Sequence, residues 1–169
     1  KFTDIPFSGN IDGKHIGSFK NGLRDGAWVT YYENGQLRDK GNYQNGVQQG
    51  LWTAYTDYGK LESTGNFVAG KREGFWLVDE LWHGRGEGHY INGKKEGLWI
   101  NYGERTKAAG GGYEVKSIQN YQNDVREGPF ENFWEGGKPK AKGKFKNGKR
   151  NGYWVFYDSD GSVYQAETG

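Results

Sequence analysis

The 169-residue chain has no cysteine, no methionine and only three prolines. Without cysteine, disulfides, thiolate zinc sites and thiol nucleophiles are all excluded. Aliphatic side chains are scarce too. Leu, Ile, Val and Phe together make up under a fifth of the residues, and the mean hydropathy is −1.01. No run of 18 apolar residues is present, so no segment reads as a membrane-spanning helix. No signal peptide is visible. A chain that opens on Lys1 without a methionine does not open on a translation start, so localisation stays undetermined at this level. Charge of one sign is also missing, since the formal net charge is only +2.

What the chain has in excess is aromatic residues (17%) and glycine (30 residues). Low aliphatic content with high net charge would indicate disorder. Here the charge is balanced, and each aromatic ring carries a large area to bury. The expectation is a folded chain whose core is made of rings.

Gly-x-Trp recurs at Gly26, Gly50, Gly74, Gly97 and Gly152, and Gly128-Pro129-Phe130 is the same element with Phe for Trp. Seven residues before each glycine stands an aromatic: Phe19, Tyr43, Phe67, Tyr90, Tyr121 and Phe145. Two residues beyond each aromatic comes a turn pair, Asn21-Gly22, Asn45-Gly46, Ala69-Gly70, Asn92-Gly93, Asn123-Asp124 and Asn147-Gly148. Repeated registration of this kind defines a tandem array with a period of about 24 residues. Asn-Gly between alternating segments is the signature of a type I′ hairpin. A second turn follows each Trp strand, as at Glu33-Asn34-Gly35 and Asp158-Ser159-Asp160-Gly161. No segment has a 3.6-residue apolar period. The expected fold is all-β: an elongated, single-layer antiparallel sheet of tandem hairpins with essentially no helix. Within it, 1–16 reads as a degenerate cap, 17–161 as about six hairpins, and 162–169 as a terminal strand or tail. The glycines in the return strands (Gly41, Gly65, Gly88, Gly143) are expected to make room for a ring on the neighbouring strand.

The run from Gly26 to Gly46 resembles the MORN repeat, in its bacterial variant form of about 24 residues, and the resemblance extends over about residues 17 to 161. It implies a sheet of hairpins, often grooved, and a role in protein–protein contact, with lipid contact proposed for some members. Many bacterial members are described by association as antitoxin or immunity-like proteins. The family defines no catalytic residues, so the resemblance assigns none and implies no cofactor.

Function is sought where the pattern breaks, because regular positions answer to packing. About seven extra residues enter near 103–116, with Arg105, Lys107 and Tyr113 flanking a glycine run. This reads either as a protruding binding loop or as a tolerated insertion. The third repeat places Asp79 where other repeats have an aromatic, and Glu80, His83, Glu87 and His89 follow. Their spacing fits no metal motif, and a kinked hairpin with a solvated face competes with any acid–base reading. Lys138, Lys140, Lys142, Lys144 and Lys146 lie at period two on one strand. They suit an anionic lipid surface, or they protect a sheet edge from aggregation. Finally, Tyr31, Tyr55, Tyr102, Phe133 and Tyr157 form a column that, with Asp79, is a candidate partner-binding surface. The expected activity is therefore non-catalytic scaffolding through a protein partner. Lipid binding by the lysines and carbohydrate binding along the column are the alternatives, and the balanced charge disfavours nucleic acid.

Overall fold

The computed structural model describes residues 7–80, 84–105 and 112–168. All regular structure among them is β. Fourteen strands are ordered in the sheet as they are in the chain, and every described pairing is antiparallel. The chain divides into two compact units, 1–76 and 77–169. The first contains β1 (Gly9–Ile11), β2 (His15–Lys20), β3 (Leu23–Tyr31), β4 (Leu37–Gln44), β5 (Val47–Tyr55), β6 (Leu61–Val68) and the start of β7 (Lys71–Glu80). The second contains the end of β7, β8 (Gly84–Ile91), β9 (Lys94–Arg105), β10 (Tyr113–Gln122), β11 (Val125–Phe133), β12 (Pro139–Lys146), β13 (Lys149–Tyr157) and β14 (Val163–Thr168).

The hairpins form where the turn residues permit them. Asn21, Asn45, Asn92 and Asn147 have φ near +50°, and each is followed by a glycine with φ of 75–83°. That sequence of two left-handed residues is the type I′ turn, whose twist matches the strands it joins. The leading glycine of each Gly-x-Trp also has positive φ, from 67° to 88°. There the Trp strand bulges and its register against the preceding strand slips. Lys40 faces Thr53, but Asn42 faces Gln49. The same slip recurs between Ile16 and Ser18, and between Lys142 and Lys144. This glycine is thus a bulge residue with a conformation that other residues adopt only under strain.

The core is a file of rings within each unit. Trp28, Trp76, Trp99 and Trp154 are fully buried. In the first unit Phe7, Phe19, Trp28, Tyr43, Trp52, Phe67 and Trp76 meet edge to face in succession, with centres 5.0–6.1 Å apart. In the second, Tyr90, Trp99 and Tyr121 form one such run, and Phe130, Phe145 and Trp154 another. Edge-to-face contact suits the ring quadrupole and adds about 0.5–1.5 kcal/mol per pair beyond area burial. The expected use of the return-strand glycines is borne out. A Cβ at Gly17, Gly41, Gly65, Gly88 or Gly143 would lie 2.2–2.5 Å from the indole of Trp28, Trp52, Trp76, Trp99 or Trp154.

One expectation is corrected. The sequence suggests edge protection by the lysine-rich strand, but β12 is paired on both sides, by β11 and by β13. Its lysines therefore do not guard an edge. They project from the face of an interior strand.

Candidate functional site: the ring face of the first unit

Up to three contacts secure the indole of a repeat. The indole Nε1–H donates to the carbonyl after the return-strand glycine: Trp28 to Ser18, Trp52 to Asn42, Trp76 to Asn66, Trp99 to His89 and Trp154 to Lys144, at 3.0–3.2 Å. A cation two residues before the bulge glycine lies against the rings. Arg24 is 4.7 Å from Trp28, Arg72 4.6 Å from Trp76, Lys95 4.4 Å from Trp99, Arg126 5.2 Å from Phe145 and Arg150 4.8 Å from Trp154. The residue between that cation and the glycine then accepts a hydrogen bond from the next hairpin turn. Asp25 takes the Asn45 N–H, Glu96 that of Asn123 and Glu127 that of Asn147. The charged pairs Arg24-Asp25, Lys95-Glu96 and Arg126-Glu127 are therefore structural: one charge covers the rings and the other fixes a turn.

The second repeat departs from this rule. It carries Gln48-Gln49 where its neighbours carry Arg24-Asp25 and Arg72-Glu73. Gln49 still fixes its turn, accepting from the Ala69 N–H at 2.9 Å. Gln48 brings no cation. Trp52 is accordingly 6% exposed, against 0–2% for Trp28, Trp76, Trp99 and Trp154.

A groove of about 290 Å³ opens at this place, on the ring face of the first unit. Tyr43, Trp52, Phe67 and Gln48 line it, with Arg24 toward one side and Arg72 toward the other. Arg24 also donates from Nη1 to the Tyr43 hydroxyl at 2.9 Å, so its guanidinium is held beside the groove. Thr30, Thr53, Ala54 and Ser63 supply small residues, and His15, Arg38, Asp39 and Trp76 complete the lining. Arg38 Nε contacts Asp39 at 3.0 Å, which offsets the one acidic group of the lining. Thr30 is buried, and its hydroxyl has no hydrogen-bond partner within the described protein. The groove thus joins aromatic surface with an excess of guanidinium charge.

The residues singled out by sequence fall elsewhere. Tyr31, Tyr55, Asp79, Tyr102, Phe133 and Tyr157 are half-buried, and none of them lines the groove. The most exposed apolar side chains of the Trp strands are one residue before the indole: Leu51, Phe75, Leu98 and Tyr153. Tyr102 and Tyr113 do come together, with ring centres 6.4 Å apart, and Arg85 lies 4.9 Å from Tyr113. The Tyr102 hydroxyl donates to Glu87 at 2.6 Å. Burial, followed by the hydrogen bond to Glu87 and its charge, pushes the Tyr102 phenol up to about 12. Glu87 is thereby engaged in a structural bond. His89 is exposed on β8, and no group of three or more metal-ligating side chains occurs among the described residues.

The expected insertion is partly taken up by longer strands, because β9 runs to Arg105 and β10 begins at Tyr113. Lys107, Gly110 and Gly111 lie outside the described residues, as do Leu81 to His83. Among the lysines, Lys142 pairs with Glu131 at 3.2 Å and Lys140 lies 4.1 Å from the Trp134 ring. Lys138, Lys144 and Lys146 are exposed.

The groove residues escaped the sequence reading, although a signal was present. Aligning the repeats at the bulge glycine puts Arg24, Gln48, Arg72, Lys95, Arg126 and Arg150 in one column, where glutamine is the exception.

This arrangement defines a class, the tandem β-hairpin repeat array with a shared aromatic file. Within that class the chain carries MORN repeats. The MORN repeat variant family model matches residues 24–45 and 126–147. Each window opens on a ring-covering arginine, Arg24 or Arg126, and closes on a turn asparagine, Asn45 or Asn147. Other hairpins share the bulge glycine and the indole or phenyl two residues after it. No curated protein matches the chain. MORN repeats form scaffolds that commonly contact proteins or membrane lipids, and the family is generally non-catalytic.

Proposed function

We propose that this chain is a non-catalytic scaffold whose first unit binds an acidic segment of a partner protein in the ring-face groove. The groove is the observation that supports this reading. Guanidinium groups outnumber carboxylates in its lining, and Tyr43, Trp52 and Phe67 supply aromatic surface of the kind that dominates interface energetics. Charge complementarity selects the partner's sign and speeds its capture.

Selection from a displayed library of random decapeptides tests the proposal. The intact chain should enrich sequences rich in Asp and Glu together with apolar residues. An R24E/R72E variant should lose that preference and turn toward basic sequences. Identical enrichment by both proteins would overturn the proposal.

A second surface rests on a different observation. Because β12 is interior, Lys144 and Lys146 lie on a sheet face with exposed Tyr153 on the adjoining strand, and exposed Lys138 stands in the turn just before β12. A basic face with an aromatic neighbour suits an anionic membrane surface. Liposomes with phosphatidylserine should retain the chain at low salt and release it at high salt. Retention that is indifferent to salt, or to a K138E/K144E variant, would remove this reading.

A further inference from the structure

The rest of the array shows what a filled groove looks like. In the other repeats a cation from the chain itself covers the ring file, and the indole is 0–2% exposed. In the second repeat Gln48 leaves that cover out, and the groove opens over Trp52. Both flanking positions keep their guanidinium groups, Arg24 on β3 and Arg72 on β7. The site is thus a gap in a regular ladder, with a guanidinium on either side of a ring that lacks a covering cation of its own.

Resting on the acidic-partner reading, we infer that Gln48 is the specificity-determining residue of the groove, and that the groove takes an extended peptide with an apolar side chain flanked by two carboxylates. The apolar side chain lies over Trp52, where a guanidinium would otherwise sit, and the carboxylates reach Arg24 and Arg72. The geometry fixes their separation. Four strand spacings divide β3 from β7, and at about 4.8 Å each they span about 19 Å. A peptide crossing the strands covers about 3.3 Å per residue, so the two acids stand about six residues apart, with the apolar residue midway. Carboxylate–guanidinium contact is the charge-assisted, bidentate kind that fixes position as well as energy.

Two capped heptapeptides test this against the intact chain. One is Glu-Gly-Gly-Leu-Gly-Gly-Glu. The other has the same composition with both Glu residues adjacent at one end. Calorimetry is expected to show at least tenfold tighter binding of the first, and at least a tenfold loss of that binding in Gln48→Arg, whose added guanidinium restores the cover over Trp52. A Gln48→Asn variant, which keeps a neutral amide, should retain the preference, and thermal melts establish that each variant is folded. Absence of binding, equal affinity for both peptides, or undiminished binding by Gln48→Arg would overturn the inference. Equal affinity for both peptides that is lost in R24E/R72E would leave the acidic-partner reading standing and remove the spacing alone.

Discussion

A methyl group added at Gly41 would stand 2.3 Å from the indole carbons of Trp52. The glycine and the tryptophan are a single packing unit, and the ring occupies the space that any side chain on the neighbouring strand would need. Gly41→Ala must push the ring off its carbonyl partner on Asn42 and open the ring file. Overpacking of this kind costs about 2–3 kcal/mol. Asn42→Ala, on the adjacent exposed position, should cost under about 0.5 kcal/mol. Urea titration of both variants separates them, and equal effects would contradict the packing argument.

The same relationship explains the irregular repeat. Gln119 stands in β10 where other return strands have glycine, and it faces Phe130 in place of Trp. The smaller ring leaves room for the longer side chain, and Gln119 is 7% exposed. Phe130→Trp alone should destabilise by about 1–3 kcal/mol. Adding Gln119→Gly should recover at least about 1 kcal/mol of that loss, a coupling that a double-mutant cycle measures directly. Additive effects would show that the two positions do not share a space.

Ala69 occupies a turn position at φ of 48°, where five other hairpins place asparagine at 49–53°. Alanine in the left-handed region costs about 1–2 kcal/mol, and asparagine is better suited to it. Ala69→Asn should therefore stabilise the chain by about 0.5–1 kcal/mol, and Asn45→Ala should destabilise it by a similar amount. Thermal melts of the pair check both signs.

Tyr102 makes the fold sensitive to alkali. Its folded-state pKa is raised from about 10 to about 12, first by burial and then by Glu87. A raised value means that the fold favours the neutral phenol, so the stabilisation is complete below pH 10 and is lost as pH rises toward 12. Urea midpoints of the native chain should fall across that window more steeply than those of Tyr102→Phe. Parallel pH profiles for the two proteins would contradict the assignment.

The hairpins, the type I′ turns and the pairing of glycine with tryptophan were all legible in the sequence, because each depends on residues within one repeat and its neighbour. The site was less so. The column of Tyr31, Tyr55 and Tyr102 satisfied strand alternation and attracted attention as aromatic surface. In the structure the columns that decide accessibility are the cations beside the rings and the residue before each indole. A cation at Arg24 reads in sequence as one half of an i,i+1 charge pair with Asp25. Only the register shows that the first charge covers Trp28 while the second serves a turn in the following hairpin. The position of the lysine strand is hidden for a related reason. Composition marks it as edge-like, but the pairing of Lys142 with Val155 requires the strand formed by 149–157 on its far side.

The central claim is that Trp52, which Gln48 leaves without a covering cation and which is set between Arg24 and Arg72, marks the binding site. Indole N–H signals in a nitrogen-15 NMR spectrum of the intact chain, titrated with the capped peptide Glu-Gly-Gly-Leu-Gly-Gly-Glu, test it most directly. The Trp52 signal should shift most, with smaller shifts at Trp28 and Trp76 and none at Trp154. Shifts centred on Trp154 or Trp99, or no shift at Trp52 at saturating peptide, would contradict the account.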